Sequence, residues 1–324
     1  MTAQTDTPRA ARSLPTAPPD GLIAAVMLAF LATAGLFYVN IMAAIVDGLV
    51  SGLGLTDSQA GQIGSANIYG AALGALAAVF LVRRWPWRRM AWICLVILIA
   101  VDIGSIWIDT FELLLPVRLA HGVVGGLLTG TAFAVIARTA NPDRTFGMLL
   151  FVQFGLGGLA VMVLPPLAPL YGTQALFIAL ALFSLATLAM LPFLADYPPR
   201  DHAASAGSRV RWIPLILTYA AIFLFQAANM GLLAYIIRLG IDYGLERGYV
   251  SLALGLATWV ALAGPAANLL MAFLWVVFGM LLVAFQLFAL GVQARPWQLK
   301  VGRTGTRRRP LVTTGLVDSY RWSV

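Results

Sequence analysis

Residues 112–137 read ELLLPVRLAHGVVGGLLTGTAFAVIA, a continuous apolar run whose interior holds only two ionisable side chains, Arg118 and His121. An α-helix crosses a bilayer with about 20 apolar residues, so this run is long enough to span one. Small residues spaced by four share one helix face and allow a second helix to approach closely. The stretch therefore predicts a membrane-spanning helix that packs tightly on a neighbour. The small residues of this face are Gly122, Gly126 and Gly130, and a similar pair, Gly70 and Gly74, lies in the run 59–82.

Similar runs lie on both sides of this one, and charge is scarce throughout. Of the 324 residues, 60% are hydrophobic and 10% are charged, whereas soluble domains carry roughly 25% charged residues. A bilayer forces each spanning run to satisfy its own backbone hydrogen bonds, so we predict an all-α, polytopic membrane helix bundle. The other predicted spans are 22–46, 59–82, 90–108, 146–169, 174–194 and 212–236, followed by 249–291, which could cross once or twice.

The basic residues predict the orientation of this bundle. The net charge of +8 would suit a nucleic-acid partner, but the arginines lie between apolar runs and form no basic helix face. We therefore expect the lipid bilayer, and no nucleic acid, as the partner. Basic loops mark the cytoplasmic side, so we expect an integral protein of the bacterial inner membrane with a cytoplasmic N-terminus. The loop residues that share this side are Arg9, Arg12, Arg83, Arg84, Arg88, Arg89, Arg138, Arg144, Arg200, Arg209 and Arg211.

One long polar stretch divides the chain into a six-span half and an incomplete second half, with eight or nine spans in total. A repeated-half organisation of this kind is common among transporters. We expect a disordered cytoplasmic tail at 1–20, a six-span half at 21–195, a cytoplasmic linker at 196–211, a partial second half at 212–291 and a basic tail at 292–324.

Three short motifs lie at the spans and loops between residues 22 and 263. They are Arg118-Leu-Ala-His-Gly122-Val-Val-Gly-Gly126, the stretch Leu53-Gly-Leu-Thr-Asp57-Ser-Gln-Ala-Gly61, and the loop from Arg138 to Gly147. Over residues 22–263 these motifs resemble those of the major facilitator superfamily. The resemblance implies a secondary transporter that moves a small solute by alternating access, with proton coupling as one option.

The loop between the second and third spans resembles the family's gating loop only in part. It reads FLVRRWPWRR over residues 80–89, and the resemblance assigns the gating positions to Arg84, Arg88 and Arg89. The glycines of the family pattern are absent, and Arg84 stands at the acidic position. This departure puts the usual gating salt bridge in doubt.

Arg118 is the residue that points most directly to a functional site. It lies roughly 9 Å inside the span from its outer end, and a charge at that depth usually marks a pathway or an ion pair. Asp102 in the preceding span lies at a similar depth and could pair with it, while His121 shares the same helix face. Two interpretations stay open: a site for an anionic substrate or a proton, and a structural Asp102–Arg118 bridge or an arginine that reaches out to the lipid headgroups.

Four further polar side chains within the spans are candidate substrate ligands, because transporter sites of this architecture lie near the midplane. Each of them could equally serve as an interhelical hydrogen bond. No nucleophile arrangement, phosphate-binding loop or metal-ligand spacing is visible, so we expect no catalytic residues, no cofactor and no metal. The four candidates are Tyr38, Asn67, Gln226 and Asn229.

The end of the chain leaves two alternative interpretations. The resemblance to the transporter family is expected to stop after 264–265, and the tail 307–316 weakly resembles isoprenylcysteine-type membrane methyltransferases. Arg321 is in register with that family's motif, but Trp322 and Ser323 replace its His-Pro. The alternatives are therefore a non-transporting truncated or frame-disrupted remnant and a membrane-embedded methyltransferase-like enzyme, while we expect a transporter and no enzyme.

Overall fold

The computed structural model describes residues 16–198, 212–260 and 262, and these residues fold into helices without any strand. A helix lies over each of the seven predicted spans, which confirms the all-α membrane fold class. The helices are α1 (Leu22–Asn40), α2 (Met42–Leu53), α3 (Asp57–Leu81), α4 (Trp87–Ser105), α5 (Phe111–Ile136), α6 (Pro142–Tyr171), α7 (Gln174–Met190), α8 (Trp212–Asp242) and α9 (Arg247–Val260), with a 3₁₀ turn at Leu191–Phe193.

The chain divides into two units, Met1–Ala263 and Gly264–Val324, and every described residue belongs to the first. The second unit lies outside the described residues, and so do most of the predicted linker 196–211 and the whole of the predicted tail 292–324. Residues 16–20 fall in the segment predicted to be disordered, yet the amide of Ala17 donates to the carbonyl of Phe193 at 2.8 Å.

Six of the helices are long and apolar enough to cross a membrane: α1, α3, α5, α6, α7 with its 3₁₀ turn, and α8. The fourth helix has the length of α1 but carries three charges, Arg88, Arg89 and Asp102. It packs on α5 and α7 within the same bundle. The short α9, with 14 residues, extends about 21 Å. The six long apolar helices make this an integral membrane protein.

The bundle has two ends that the chain order defines. Helix α1 begins at the end that holds Asp20, the α3–α4 loop and the end of α7, which we call the Asp20 end. The opposite end holds the α2–α3, α4–α5 and α8–α9 connections, and we call it the Asp57 end.

The first predicted span, 22–46, is broken at Ile41, where φ is −107° and ψ is 22°. The break separates α1 from α2, which continues to Leu53. Next to the break, the amide nitrogen of Gln153 in α6 donates to the side-chain oxygen of Asn40 at 2.9 Å. The side chain at the break is thus used to hold α1 against α6.

The α3–α5 interface confirms the predicted close approach of glycine faces. Small residues let membrane helices meet at their backbones, where van der Waals packing holds them together. Four glycines lie at this contact, and a Cβ added to any of them would overlap a carbonyl oxygen of the facing helix. The glycines and the residues whose carbonyl oxygens they face are Gly70 with Leu119, Gly74 with Val123, Gly122 with Asn67 and Gly126 with Ala71.

A capping box fixes where α3 begins. The amide of Gln59 donates to the hydroxyl oxygen of Thr56 at 3.2 Å, and the amide of Thr56 donates back to the Gln59 side chain at 3.1 Å. This reciprocal pair satisfies two amides that the first helical turn would otherwise leave free. It places Asp57 in the first turn, where the helix dipole favours a carboxylate.

Helices α8 and α9 lie against the six-span half. Helix α9 packs on α6, and its Trp259 indole donates to the carbonyl of Gly155 at 2.9 Å. The two backbones come close where a Cβ on Gly255 would lie 2.7 Å from the carbonyl oxygen of Gly158. Helix α8 packs mainly on α2, and among the described residues Ile237 is its one buried side chain.

Candidate functional site

A buried cluster of charged and polar side chains lies inside the six-span half, near the Asp57 end. Helix α4 contributes Asp102, and α5 contributes Arg118 and His121 on adjacent turns of one face. Asp102 is 1% exposed and Arg118 is fully buried. Arg118 lies seven positions after Phe111, or about 10 Å along α5. A fully buried arginine at this depth requires a counterion.

Asp102 supplies that counterion. The Nη1 of Arg118 lies 2.7 Å from Oδ1 of Asp102, which is the length of a charge-assisted hydrogen bond. The Nε2 of His121 lies 3.3 and 3.4 Å from the two oxygens of the same carboxylate. The structure thus brings together the three ionisable residues that the sequence analysis selected, with the carboxylate in the centre.

Asn67 of α3 determines which ring nitrogen of His121 carries the proton. Its amide nitrogen lies 2.9 Å from Nδ1 of His121 and 3.2 Å from the carbonyl oxygen of Arg118. With the amide so assigned, both of its hydrogens are donated, and Nδ1 has to accept. The proton of the neutral ring therefore sits on Nε2 and points at Asp102. Asn67 is thus a positioning residue of the cluster.

The other side of the Arg118 guanidinium faces aromatic rings. Its Cζ lies 4.3 Å from the ring centroid of Phe177 and 5.6 Å from that of Tyr38, both within the range of a cation–π contact. Among the described residues, Nε and Nη2 of Arg118 and the hydroxyl of Tyr38 have no hydrogen-bond partner. A buried charge that is only partly satisfied is costly, and such groups concentrate at functional sites.

A cavity of about 600 Å³ lies outside this cluster, between α2, α3 and α8. Gln226 is one of its lining residues, whereas Asn229 on α8 is not among them. Tyr38 and Arg118 are not among them either, so the predicted substrate ligands do not share one site. Arg118, His121, Tyr38 and Asn67 lie at the buried cluster, Gln226 lines the cavity, and Asn229 lies at neither. Sequence reasoning missed Gln62, although its spacing from Ser65 and Tyr69 places all three on one face of α3.

The predicted gating loop contacts its own half of the chain. The Nη2 of Arg88 donates to the carbonyl of Leu194, at the end of α7. Arg84 and Arg89 are exposed and form no ion pair with any described residue. The loop therefore anchors the end of the sixth span, as does Trp87, whose indole donates to Asp196 at 3.2 Å.

Tyr197 completes this anchor at the Asp20 end. Its hydroxyl donates to the carbonyl of Pro19 at 2.9 Å, and its carbonyl accepts from Arg138 at 3.1 Å. Burial raises the pKa of the phenol; the charge of Asp20 adds to the rise and Arg88 opposes it. The hydroxyl thus remains a donor at neutral pH.

A second charge cluster, at the Asp57 end, was not selected from the sequence. It joins Asp47 and Asp57 to Arg238 and Arg247. The signal that could have found it is a carboxylate within an apolar run, since Asp47 follows IMAAIV. Within the described residues, no group of three His, Cys, Asp or Glu side chains could hold a metal ion.

The helix bundle is similar to that of a solved membrane transporter. A crystal structure of a D-xylose-proton symporter matches with a TM-score of 0.52 and 13% sequence identity, over 74% of this chain and 66% of that chain. The chain thus spans just under two thirds of the symporter's length, and the likeness shows a shared fold.

Sequence comparison with curated proteins found no match. The family scan, in contrast, matches the Major Facilitator Superfamily over residues 23–301, and so continues past residue 263, where the resemblance was expected to end. This match covers most of the 324 residues and includes all the helices described above. The chain belongs to the Major Facilitator Superfamily.

Proposed function

We propose that the protein is a secondary transporter that moves a small solute by alternating access and couples this movement to protons at Asp102. The single observation that carries the proposal is a buried carboxylate held between a guanidinium and an imidazole within a transporter fold. The proposed setting is a bacterial inner membrane, with the N-terminus and the 196–211 linker on the cytoplasmic side.

Asp102 is the member of the cluster best suited to exchange a proton. Arg118 stays charged under all ordinary conditions, and the Nδ1 of His121 already accepts a hydrogen bond from Asn67. A proton that arrives at Asp102 would cancel the charge that holds Arg118. The guanidinium would then lose its counterion and favour a different arrangement of α4 and α5.

This link between protonation and arrangement is what a coupled transporter requires. If the proton and the solute each favour the same one of two conformations, each raises the affinity of the protein for the other. The free edge of Arg118, formed by Nε and Nη2, could bind an oxygen of the solute once Asp102 is neutral. The cavity beside Gln62 and Gln226 supplies side-chain amides on the path of a polar solute.

The test is solute-driven proton movement in proteoliposomes that contain a pH-sensitive dye. Because the structural neighbour is named a D-xylose-proton symporter, D-xylose belongs in the first solute panel, together with small carboxylates. We expect Asp102→Asn to lose proton movement while it keeps solute counterflow, with the amount of folded protein matched. Asp109→Asn, an exposed carboxylate at the same end, is the control and should behave like the wild type.

Two outcomes would contradict the proposal. Proton movement that persists unchanged in Asp102→Asn would remove Asp102 from the coupling step. Absence of flux and of counterflow for every solute would favour a protein that does not transport. The orientation is tested separately, because a cysteine placed at Ser205 should react with an impermeant maleimide from the cytoplasmic side only.

A further inference from the structure

We propose that Asp47, Asp57, Arg238 and Arg247 form a charge latch that holds the Asp57 end of the transporter closed and opens when the protein changes conformation. The inference rests on the proposed alternating-access function. These four residues belong to four different helices: α2 and α3 of the six-span half, and α8 and α9 of the second half.

Asp47 is the buried centre of the charge latch. Its side chain is fully buried, although it is a carboxylate at the end of an apolar run. The Nε of Arg247, the first residue of α9, lies 2.9 Å from Oδ2 of Asp47, and its Nη2 donates to Oδ1 at 3.4 Å. An ionised carboxylate is expensive to bury without a partner. The negative charge of Asp47 has its close counterion, Arg247, only while α9 is docked.

Arg238 extends the charge latch from α8 to both helices of the first half. Its Nε lies 3.0 Å from Oδ1 of Asp57, and its Nη1 lies 4.0 Å from Oδ1 of Asp47. One turn earlier on α8, the hydroxyl of Tyr235 donates to the carbonyl of Asp57 at 3.1 Å. The two carboxylates and the two guanidinium groups have opposite charges that cancel, so the cluster is electrically neutral when the helices are docked.

The ion pairs lie beside the cavity between α2, α3 and α8, and access to this cavity is what they would control. The 600 Å³ cavity lies next to them, and Tyr235 and Ala234 are among its lining residues. The side chains of α8 become more buried against the described residues toward this end: Phe225 is 68% exposed, whereas Ile237 is fully buried. Helix α8 is thus held to the six-span half at the charge latch, and on this proposal the charge latch closes the Asp57 end of the cavity.

Opening this end would separate α8 and α9 from α2 and α3 and would admit water to the buried carboxylate of Asp47 and to the covered parts of both arginines. The carboxylates and guanidinium groups would then be hydrated individually, and the ion pairs would be lost. Each pair therefore favours the closed arrangement over the open one. Because the arginine of the Asp47–Arg247 pair is partly exposed, removing the pair should shift this two-state balance by about fivefold.

The experiment measures access to the cavity directly. The native Cys94 is replaced by alanine and a single cysteine is introduced by Ala234→Cys, a half-buried lining position on α8. An impermeant maleimide is added from the Asp57 end to sealed vesicles, and the labelling rate is measured in Asp47→Asn and Arg247→Gln. We expect about a fivefold increase in both variants, with Asp109→Asn unchanged and Arg247→Lys close to the parent because it keeps the cation.

The proposal is overturned if neither variant labels faster than Asp109→Asn, or if Arg247→Lys labels as fast as Arg247→Gln. Should Asp47→Asn fail to fold, Arg247→Gln decides alone, since that arginine is 24% exposed and Arg238 remains 4.0 Å from the Asp47 carboxylate after its loss. The readout needs no solute. A failed flux experiment therefore leaves it valid, whereas unchanged labelling in a protein that transports would refute the charge latch alone.

Discussion

Replacing Asp102 with asparagine should destabilise the protein more than replacing its partner Arg118 with methionine. In Asp102→Asn the guanidinium of Arg118 remains charged and fully buried, with Nε and Nη2 already lacking partners among the described residues. In Arg118→Met the carboxylate keeps the Nε2 proton of His121 and can also take up a proton. The two halves of one ion pair are therefore unequal when each is left alone.

The structure sets the size of this difference. Breaking a buried ion pair by removing one partner costs roughly 3–5 kcal/mol, which is the value expected for Asp102→Asn. Arg118→Met leaves an incompletely satisfied polar group, which costs about 1–3 kcal/mol. The double replacement Asp102→Leu with Arg118→Met removes both charges and should be close to neutral, since an apolar pair of similar volume often replaces a buried ion pair without loss.

The lone cysteine makes the assay simple. Cys94 is buried, so a fluorogenic thiol dye reacts with it only on unfolding, and thermal scans in detergent report the midpoint. At about 2–4 °C per kcal/mol, Asp102→Asn should melt roughly 6–20 °C below the wild type. Equal midpoints for the two single variants, or a double variant less stable than Asp102→Asn, would refute the assignment of the buried charge as the source of the cost.

Three further outcomes are expected, two from the same thermal scans and one from NMR. Gly74→Ala should lower the midpoint because its Cβ would overlap the facing helix backbone, whereas Gly104→Ala, with open space around it, should raise stability by about 0.5–1 kcal/mol; the same sign for both would contradict the packing. Tyr197→Phe should cost about 1 kcal/mol through the loss of one hydrogen bond, and no change would show that the bond is absent in the membrane. Asn67→Leu should free Nδ1 of His121 and shift the ring nitrogen signals in NMR, whereas unchanged signals would argue against the assigned tautomer.

The helices could be predicted from the sequence because bilayer thickness dictates their length. The similar depths of Arg118 in its span and of Asp102 in the preceding one predicted a possible ion pair, and the structure places Nη1 of Arg118 2.7 Å from Oδ1 of Asp102. What depth cannot give is rotation about the helix axis. The amide of Asn67 reaches His121 only because the glycine faces of α3 and α5 fix the register of the two helices.

The second charge cluster shows the limit more clearly. Asp47 lies one residue beyond the predicted span 22–46, whereas α2 continues to Leu53. Its partner Arg247 lies 200 residues further along the chain. Contacts between helices so distant in sequence depend on how the second half docks, which composition and periodicity do not encode. The docking of α8 also explains why Gln226 lines the cavity whereas Asn229, about one turn further along the helix, does not.

The glycine contact between α6 and α9 has a mechanical meaning. Gly158 lies near the middle of α6, about 24 Å from its first residue and about 20 Å from its last. The backbones meet there, and a Cβ on Gly158 would also overlap the side chain of Trp259, while one on Gly255 would overlap that of Met162. The contact therefore leaves no free space on either helix. A larger residue at Gly158 or Gly255 would push α9 away from α6 at this mid-helix point, so these two glycines set the distance at which α9 rests on the six-span half.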